Sequence, residues 1–175
     1  SSSSRYVMTC IDGARIFSPG LVGKTVSALK SVPNAFVFSL NAHLGDQLQF
    51  KAIENGYSQD IEDVLLNGSG WIENGYKLFT ISSLGGSSLL GLSELPNESN
   101  TISIAREDFL DLGGYNEAFV SGGGGMCNLE IFNRLVLSSR VSPVILVGEA
   151  TFHQHHGGVV TSATGAQRED VLAEI

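Results

Sequence analysis

Short apolar runs separated by polar turns predict alternating strands and helices along this chain. Apolar and β-branched residues fill positions 6–11 and 35–40, a composition typical of buried strands. Between them, Ser18-Pro19 starts a helical pattern that ends at Pro33. The apolar residues predicted to face inward from this helix are Val22, Val26 and Leu29. A strand, a helix and a strand in this order favour parallel strands joined by a right-handed crossover.

The alternation continues through the chain and predicts one α/β domain with a mixed, mostly parallel sheet flanked by helices. Further helices are predicted at residues 44–56, 60–68, 105–112 and 128–138. Further strands are predicted at residues 76–82, 101–104 and 144–147, and loops at 84–92 and 121–125. We expect the domain to span residues 5–160. It lies between residues 1–4, all serine, which we interpret as a remnant of truncation or cloning, and a polar, weakly helical tail at 161–175.

Composition and charge narrow the classes of function. Of the 175 residues, 42% are hydrophobic, which excludes a disordered chain. The net charge of −8 disfavours binding to nucleic acid or to an anionic membrane surface, because both need a basic footprint. No apolar run approaches the roughly 20 residues of a transmembrane segment. The two cysteines, Cys10 and Cys127, are too few for a disulfide framework and predict free thiols in a cytoplasmic protein.

An acidic residue stands where α/β sheets bind their ligands. Asp12 follows the first predicted strand directly, and Gly13 comes next. Open α/β sheets bind ligands beyond the carboxyl ends of their strands. A carboxylate at that place can hold a divalent cation or a ribose hydroxyl, and a glycine lets a ligand approach the backbone. The alternative is an aspartate that only forms a turn.

The histidines form the most unusual cluster, since three of the four lie within four residues: His153, His155 and His156. In an extended strand, His153 and His155 project to the same face. Two imidazoles placed in this way can bind a metal ion or a phosphate. A structural role is the alternative for each of them.

Other polar residues stand at the ends of predicted elements. Asn128 and Glu130 open a helix directly after the glycine loop, where Glu130 is either a general base or an acid that stabilises the helix start. Glu98 and Asn100 lie in a polar loop before a strand, where they either bind a sugar or form a turn. Asp63 belongs to an acidic segment that suits the start of a helix.

The order of these pieces resembles a glycosyltransferase of the GT-A fold, near the large family 2. Residues 12–20, D-G-A-R-I-F-S-P-G, are similar to the strand end at which that family carries a D-x-D motif. Residues 106–119 are similar to the family's R-x-x-F-x-x-V-G-G-F-D-E-x-F stretch, and this match is the most specific. Residues 124–135 are similar to its G-G-E-D helix start. The resemblance covers most of residues 5–160.

This resemblance implies a partial GT-A, or nucleotide-diphospho-sugar transferase, fold. It implies transfer of a sugar from a nucleotide-sugar donor to a glycan or other hydroxyl acceptor, with inversion and with the help of Mg²⁺ or Mn²⁺. The implied base is Glu130, with Asp63 in reserve. The implied ligands of the nucleotide-sugar or its diphosphate are Asp12, Gly13, Arg15, His153 and His155. The implied metal ligands are Asp12, His153 and His155. The residues implied for the sugar or acceptor are Glu98, Asn100, Gly124, Gly125 and Asn128.

Some positions depart from the family's pattern and leave two alternatives open. The D-x-D motif is reduced to Asp12-Gly-Ala, and the family's Glu-Asp pair aligns with Cys127-Asn128. One alternative is therefore a non-catalytic carbohydrate-binding or assembly module on the same fold. The other is a metal-dependent hydrolase that uses the histidine cluster. The chain begins where the family's second half begins, so we expect a C-terminal part of a longer transferase whose uncovered face forms a homodimer.

Overall fold

The computed structural model describes residues 3–11, 14–120 and 126–156, and a mixed sheet lies at the centre of this part of the chain. The strands are β1 (Tyr6–Cys10), β2 (Arg15–Phe17), β3 (Ala35–Leu44), β4 (Ser82–Leu84), β5 (Thr101–Ala105) and β6 (Ser142–His153). The α-helices are α1 (Leu21–Ser31), α2 (Gln49–Glu54), α3 (Gln59–Ser69), α4 (Arg106–Asp111) and α5 (Cys127–Leu137). Two 3₁₀-helices span Gly75–Ile81 and Gly86–Ser88.

The strand order is β1-β5-β3-β6-β2, with β4 paired to the end of β3. The predicted α/β class and mixed sheet are confirmed, but the prediction of a mostly parallel sheet is wrong. β3 and β6 are parallel neighbours, whereas the other paired strands are antiparallel. β5 lies between β1 and β3 and is antiparallel to both. The first two predicted strands therefore run in the same direction without being neighbours.

Helices cover both faces of the sheet because successive side chains of β3 point to opposite sides. On one face, α5 packs against β3 and β5 through a buried cluster that includes Phe36, Phe38, Ile102, Ile104, Ile131, Phe132 and Leu135. On the other face, α1 packs through Leu21, Leu29, Ala35, Val37 and Leu146. The apolar run of β3 is continuous because both of its faces are covered.

The start of the buried face of α1 lies one position earlier than predicted. Leu21, Thr25 and Leu29 face the core, whereas Val22 is 51% exposed and Val26 is 39% exposed. Leu21, Thr25 and Leu29 form an i, i+4, i+8 stripe, in which the threonine methyl group packs in the core.

β6 extends beyond the predicted residues 144–147 as far as His153. Its register with β3 shifts between Phe38 and Leu40, where Gly148 has a φ of 78°. Glycine adopts this left-handed conformation without strain, so β6 can bulge and then continue. The bulge carries the strand's polar end, including Glu149 and His153, into the sheet.

Residues 75–81 form a 3₁₀-helix where a strand was predicted for 76–82, and only Ser82–Leu84 are extended. The Asn74 side chain explains the difference, because its oxygen accepts a hydrogen bond from the Tyr76 backbone N–H at 3.1 Å. This bond caps the first turn. The predicted glycine loop at 121–125 and the polar tail at 161–175 lie outside the described residues.

None of the helices in the described ranges combines the length and the apolar character needed to cross a membrane.

Candidate functional site

Polar side chains collect where β3 and β6 end, at one edge of the sheet. Because these strands are parallel, their carboxyl ends lie together, and ligands of α/β sheets bind at such edges. His43 of β3 is the register partner of His153 of β6, which is in turn the partner of Arg15 of β2. The end of β1 meets the same edge, since the Ile11 N–H donates to the Asn100 carbonyl at 3.0 Å. We call this region the polar edge.

Arg15 is fixed between the end of β1 and the start of β5. Its Nε donates to the Ile11 carbonyl at 3.1 Å. The Asn100 side-chain oxygen, turned toward the guanidinium, accepts from Arg15 Nη1 at 2.6 Å and from Nη2 at 3.1 Å. Asn100 is buried and Arg15 is half-buried, so the sheet holds this guanidinium in a defined orientation.

Buried Asn41 anchors the loop that precedes β5. Its Oδ1 accepts from the Asn100 N–H at 3.1 Å and from Thr151 Oγ1 at 3.4 Å. Its Nδ2 donates to Ser87 Oγ at 2.9 Å and to the Glu98 carbonyl at 3.4 Å. One amide therefore joins β3, β6, the 3₁₀-helix at Gly86–Ser88 and the segment that carries Glu98 and Asn100.

Glu98 and Asn128 meet at the start of α5. Asn128 is 5% exposed, and its Nδ2 donates to Glu98 Oε2 at 2.9 Å and to the Ser99 carbonyl at 3.0 Å. Asn128 Oδ1 is buried without a hydrogen-bond partner in the described part of the chain. The half-buried Glu98 thus has one carboxylate oxygen held in place by the helix start.

The histidine cluster has a different arrangement from the predicted one, because β6 ends at His153 and the alternation of side chains stops there. His153 Nδ1 donates to Gln49 Oε1 at 2.7 Å, and its Nε2 lies 2.8 Å from Nε2 of His156. An amide oxygen only accepts, so Gln49 places the His153 hydrogen on Nδ1. His153 therefore pairs with His156, whereas His155 faces Tyr57 with ring centroids 6.0 Å apart.

His43 lies behind His153, with ring centroids 5.6 Å apart. Burial, reinforced by the charge of Arg15 and opposed by a hydrogen bond to the Gln49 side chain, lowers the pKa of His43 to about 4. His43 Nδ1 is buried and finds no hydrogen-bond partner among the described residues. This imidazole is therefore neutral near pH 7, and Arg15 carries positive charge at the polar edge.

Glu62, and not its neighbour Asp63, faces the histidine segment. Glu62 is fully buried, and both of its carboxylate oxygens accept from the His155 backbone N–H, at 3.0 and 2.8 Å. Burial raises the pKa of Glu62, although the bonds from His155 and Tyr57 oppose the shift. Asp63 is exposed on α3, where it accepts from Gln59 Nε2 at 3.2 Å. Adjacent residues of a helix point in different directions, so only one of the two acids reaches the histidines.

Glu130 is engaged by an arginine of the same helix. Arg134 Nε lies 2.7 Å from Glu130 Oε1, and Arg134 Nη2 lies 3.1 Å from Oε2. Arg134 also donates to the carbonyls of Leu112 and Gly114, so the pair fastens α5 to the turn at residues 113–114. Glu130, the predicted base, therefore forms a bidentate ion pair with a structural function.

The described residues do not fit a metal ion. Among them there is no group of three or more histidine, cysteine, aspartate or glutamate side chains that could hold one. The Nε2 atoms of His153 and His156 face each other at hydrogen-bond distance, and His155 is turned elsewhere. Asp12, Gly13, Gly124 and Gly125 lie outside the described residues, but Ile11 and Ala14, which flank the first pair, contact Asn100 and Gln154.

The polar edge therefore brings together five of the predicted site residues: Arg15, Glu98, Asn100, Asn128 and His153. The sequence analysis missed four others: Asn41, His43, Gln49 and Glu62. A signal was present for Asn41 and His43, because polar and apolar residues alternate from Ser39 to Leu44 as in a strand with one polar face. Glu62 belongs to the same acidic segment as Asp63, but nothing in the sequence favoured it over Asp63, and Gln49 had no signal, since the importance of both depends on packing between distant segments.

Comparison with models of known protein families, with curated proteins and with solved structures finds no match to this chain.

Proposed function

We propose that this protein is a glycosyltransferase with a divergent, partial GT-A fold, and that it transfers a sugar from a nucleotide-sugar to a hydroxyl acceptor with inversion. The observation that supports the proposal is the meeting of Arg15, Asn100, Glu98 and Asn128 at the carboxyl ends of β3 and β6. Two features support the proposal independently. One is the order of the polar motifs along the chain, and the other is that their side chains meet at one edge of the sheet.

Arg15 is the group that suits the donor's diphosphate. A guanidinium binds phosphate oxygens through paired N–H donors, and Asn100 and the Ile11 carbonyl hold this one in place before a ligand arrives. In the transfer, the bond between the sugar C1 and the phosphate oxygen breaks, and negative charge grows on the departing nucleoside diphosphate. A preoriented cation lowers the energy of that state more than that of the intact donor.

A metal ion has no assigned step in this proposal. Mg²⁺ or Mn²⁺ would supply further charge neutralisation of the diphosphate. Since the described residues do not fit a metal site, Arg15 at the polar edge is assigned the neutralisation of the diphosphate charge, and the metal is varied in the assay.

The test is release of UDP or GDP from UDP-glucose, UDP-N-acetylglucosamine and GDP-mannose, each measured with Mn²⁺, with Mg²⁺ and with EDTA. We expect release from at least one donor, and a rate about 100-fold lower in Arg15→Gln. The matched control is Arg140→Gln. Arg140 lies just before the start of β6, far along the strand from the polar edge, and pairs with Asp111 at the surface. No release from any donor, or equal rates in the two variants, would contradict the proposal. Donor binding without release would favour a non-catalytic carbohydrate-binding module.

A further inference from the structure

We propose that Glu98, positioned by Asn128, is the catalytic base of the proposed sugar transfer. This inference rests on the proposed function and replaces Glu130 in that role. It follows from the different surroundings of two carboxylates near the start of α5.

Both acids lie near the same point of the structure. Glu98 Oε2 accepts from Nδ2 of Asn128, the second residue of α5, and Glu130 lies two positions further along this helix, so both carboxylates lie near its first turn. The two residues are therefore genuine competitors, and what distinguishes them is how their oxygens are used.

Glu98 has an oxygen available for a substrate. Its Oε2 accepts from Asn128 Nδ2 at 2.9 Å, and within the described residues nothing donates to Oε1. The backbone on both sides is fixed as well, since the Glu98 carbonyl accepts from Asn41 and the Ser99 carbonyl accepts from Asn128. A carboxylate with one oxygen anchored and the other open is the arrangement that a general base requires.

Glu130 lacks that freedom. Arg134 binds both of its oxygens and simultaneously holds two backbone carbonyls of the turn after α4. To approach a substrate hydroxyl, a Glu130 oxygen would first have to leave its hydrogen bond with Arg134.

Position relative to the donor site also favours Glu98. Only Ser99 separates it from Asn100, which contacts Arg15, and Asn41 binds the backbone of both Glu98 and Asn100. An acceptor hydroxyl beside Glu98 therefore lies along the same edge as a diphosphate beside Arg15.

The chemical step balances with these groups alone. Glu98 takes the proton of the acceptor hydroxyl as that oxygen bonds to the sugar C1 from the face opposite the diphosphate. The bond from C1 to the phosphate oxygen breaks, and the nucleoside diphosphate leaves with the electron pair. When water is the acceptor, the same step hydrolyses the donor.

The experiment measures donor hydrolysis and donor binding for wild type, Glu98→Gln and Glu130→Gln, with the donors named above. We expect Glu98→Gln to bind the donor as tightly as wild type but to hydrolyse it about 100-fold more slowly, the range for loss of a general base. Azide carries no proton to remove, so it should restore diphosphate release by Glu98→Gln and form a glycosyl azide. A residue with a merely structural role would not show this rescue.

Glu94→Gln is the matched control, because Glu94 is an exposed acid of the same loop. For Glu130→Gln we expect a less stable protein whose turnover falls far less than that of Glu98→Gln. Normal turnover in Glu98→Gln, failure of azide to rescue it, or a larger loss in Glu130→Gln would overturn the assignment while leaving the proposed function intact. A wild-type protein that hydrolyses none of the donors would overturn both.

Discussion

Replacing Glu149 by alanine is expected to lower the free energy of unfolding by about 3 kcal/mol. The Glu149 side chain is fully excluded from solvent. It accepts hydrogen bonds from Ser18 Oγ and from the Tyr76 hydroxyl at 2.9 Å, and it forms an ion pair with Lys24 Nζ at 2.6 Å. One carboxylate thus joins β6 to the start of α1 and to the 3₁₀-helix at residues 75–81. Its removal leaves those donors without their acceptor.

Urea unfolding at pH 7 measures this effect. Glu94→Ala, which removes an exposed carboxylate from a loop, should change stability little. Glu149→Gln should lie between alanine and wild type, since it keeps the volume but loses the charge. A Glu149→Ala protein as stable as Glu94→Ala would contradict the claim that this carboxylate holds the three segments together.

Acidification from pH 6.5 to pH 4 is expected to remove about 2–3 kcal/mol of stability through His43. In the unfolded chain His43 takes up a proton near its ordinary pKa of 6.5, whereas burial keeps the pKa of the folded form at about 4. The unfolded state therefore binds more protons throughout this window, and stability falls as pH falls. Among the described residues, the charged or titratable groups that face the His43 ring are Arg15 and His153.

Unfolding free energies of wild type and His43→Gln across the window isolate this contribution. The comparison is necessary because Glu62, whose pKa is raised, changes stability in the opposite sense when it is protonated. We expect the difference between the two proteins to shrink as pH falls from 6.5 to 4. A difference independent of pH would show that His43 titrates normally in the folded protein.

The elements that the sequence predicted well are those in which one physical signal dominates. β1 is an apolar run, β5 alternates polar and apolar residues, and α5 is amphipathic, and their predicted bounds differ from the structure by about one residue. The segment at 75–81 shows the limit of such signals. Its apolar residues suit a strand, but an Asn74 side chain caps a helical turn and decides the outcome.

For the candidate site, too, some features could be predicted from the sequence and others could not. Some of the residues chosen at the ends of elements do lie together, since Asn100 contacts Arg15 and Asn128 contacts the carbonyl of Ser99 beside it. Sequence spacing could not show that β5 lies between β1 and β3, and therefore could not place the Glu98 segment at the edge. The spacing of Glu130 and Arg134 does suit an i, i+4 pair on the predicted helix, but it could not show that Arg134 also binds the carbonyls of Leu112 and Gly114.

The central claim is that the polar edge binds a sugar diphosphate through Arg15, and calorimetric titration with UDP-glucose and GDP-mannose tests it most directly. Uridine and guanosine, which lack the diphosphate, are titrated for comparison. We predict that wild type and Arg140→Ala bind at least one sugar diphosphate and bind its nucleoside far more weakly. Arg15→Ala should lose about tenfold or more of the affinity for that donor. Equal affinity in Arg15→Ala and wild type, or no binding of either donor by wild type, would contradict the account.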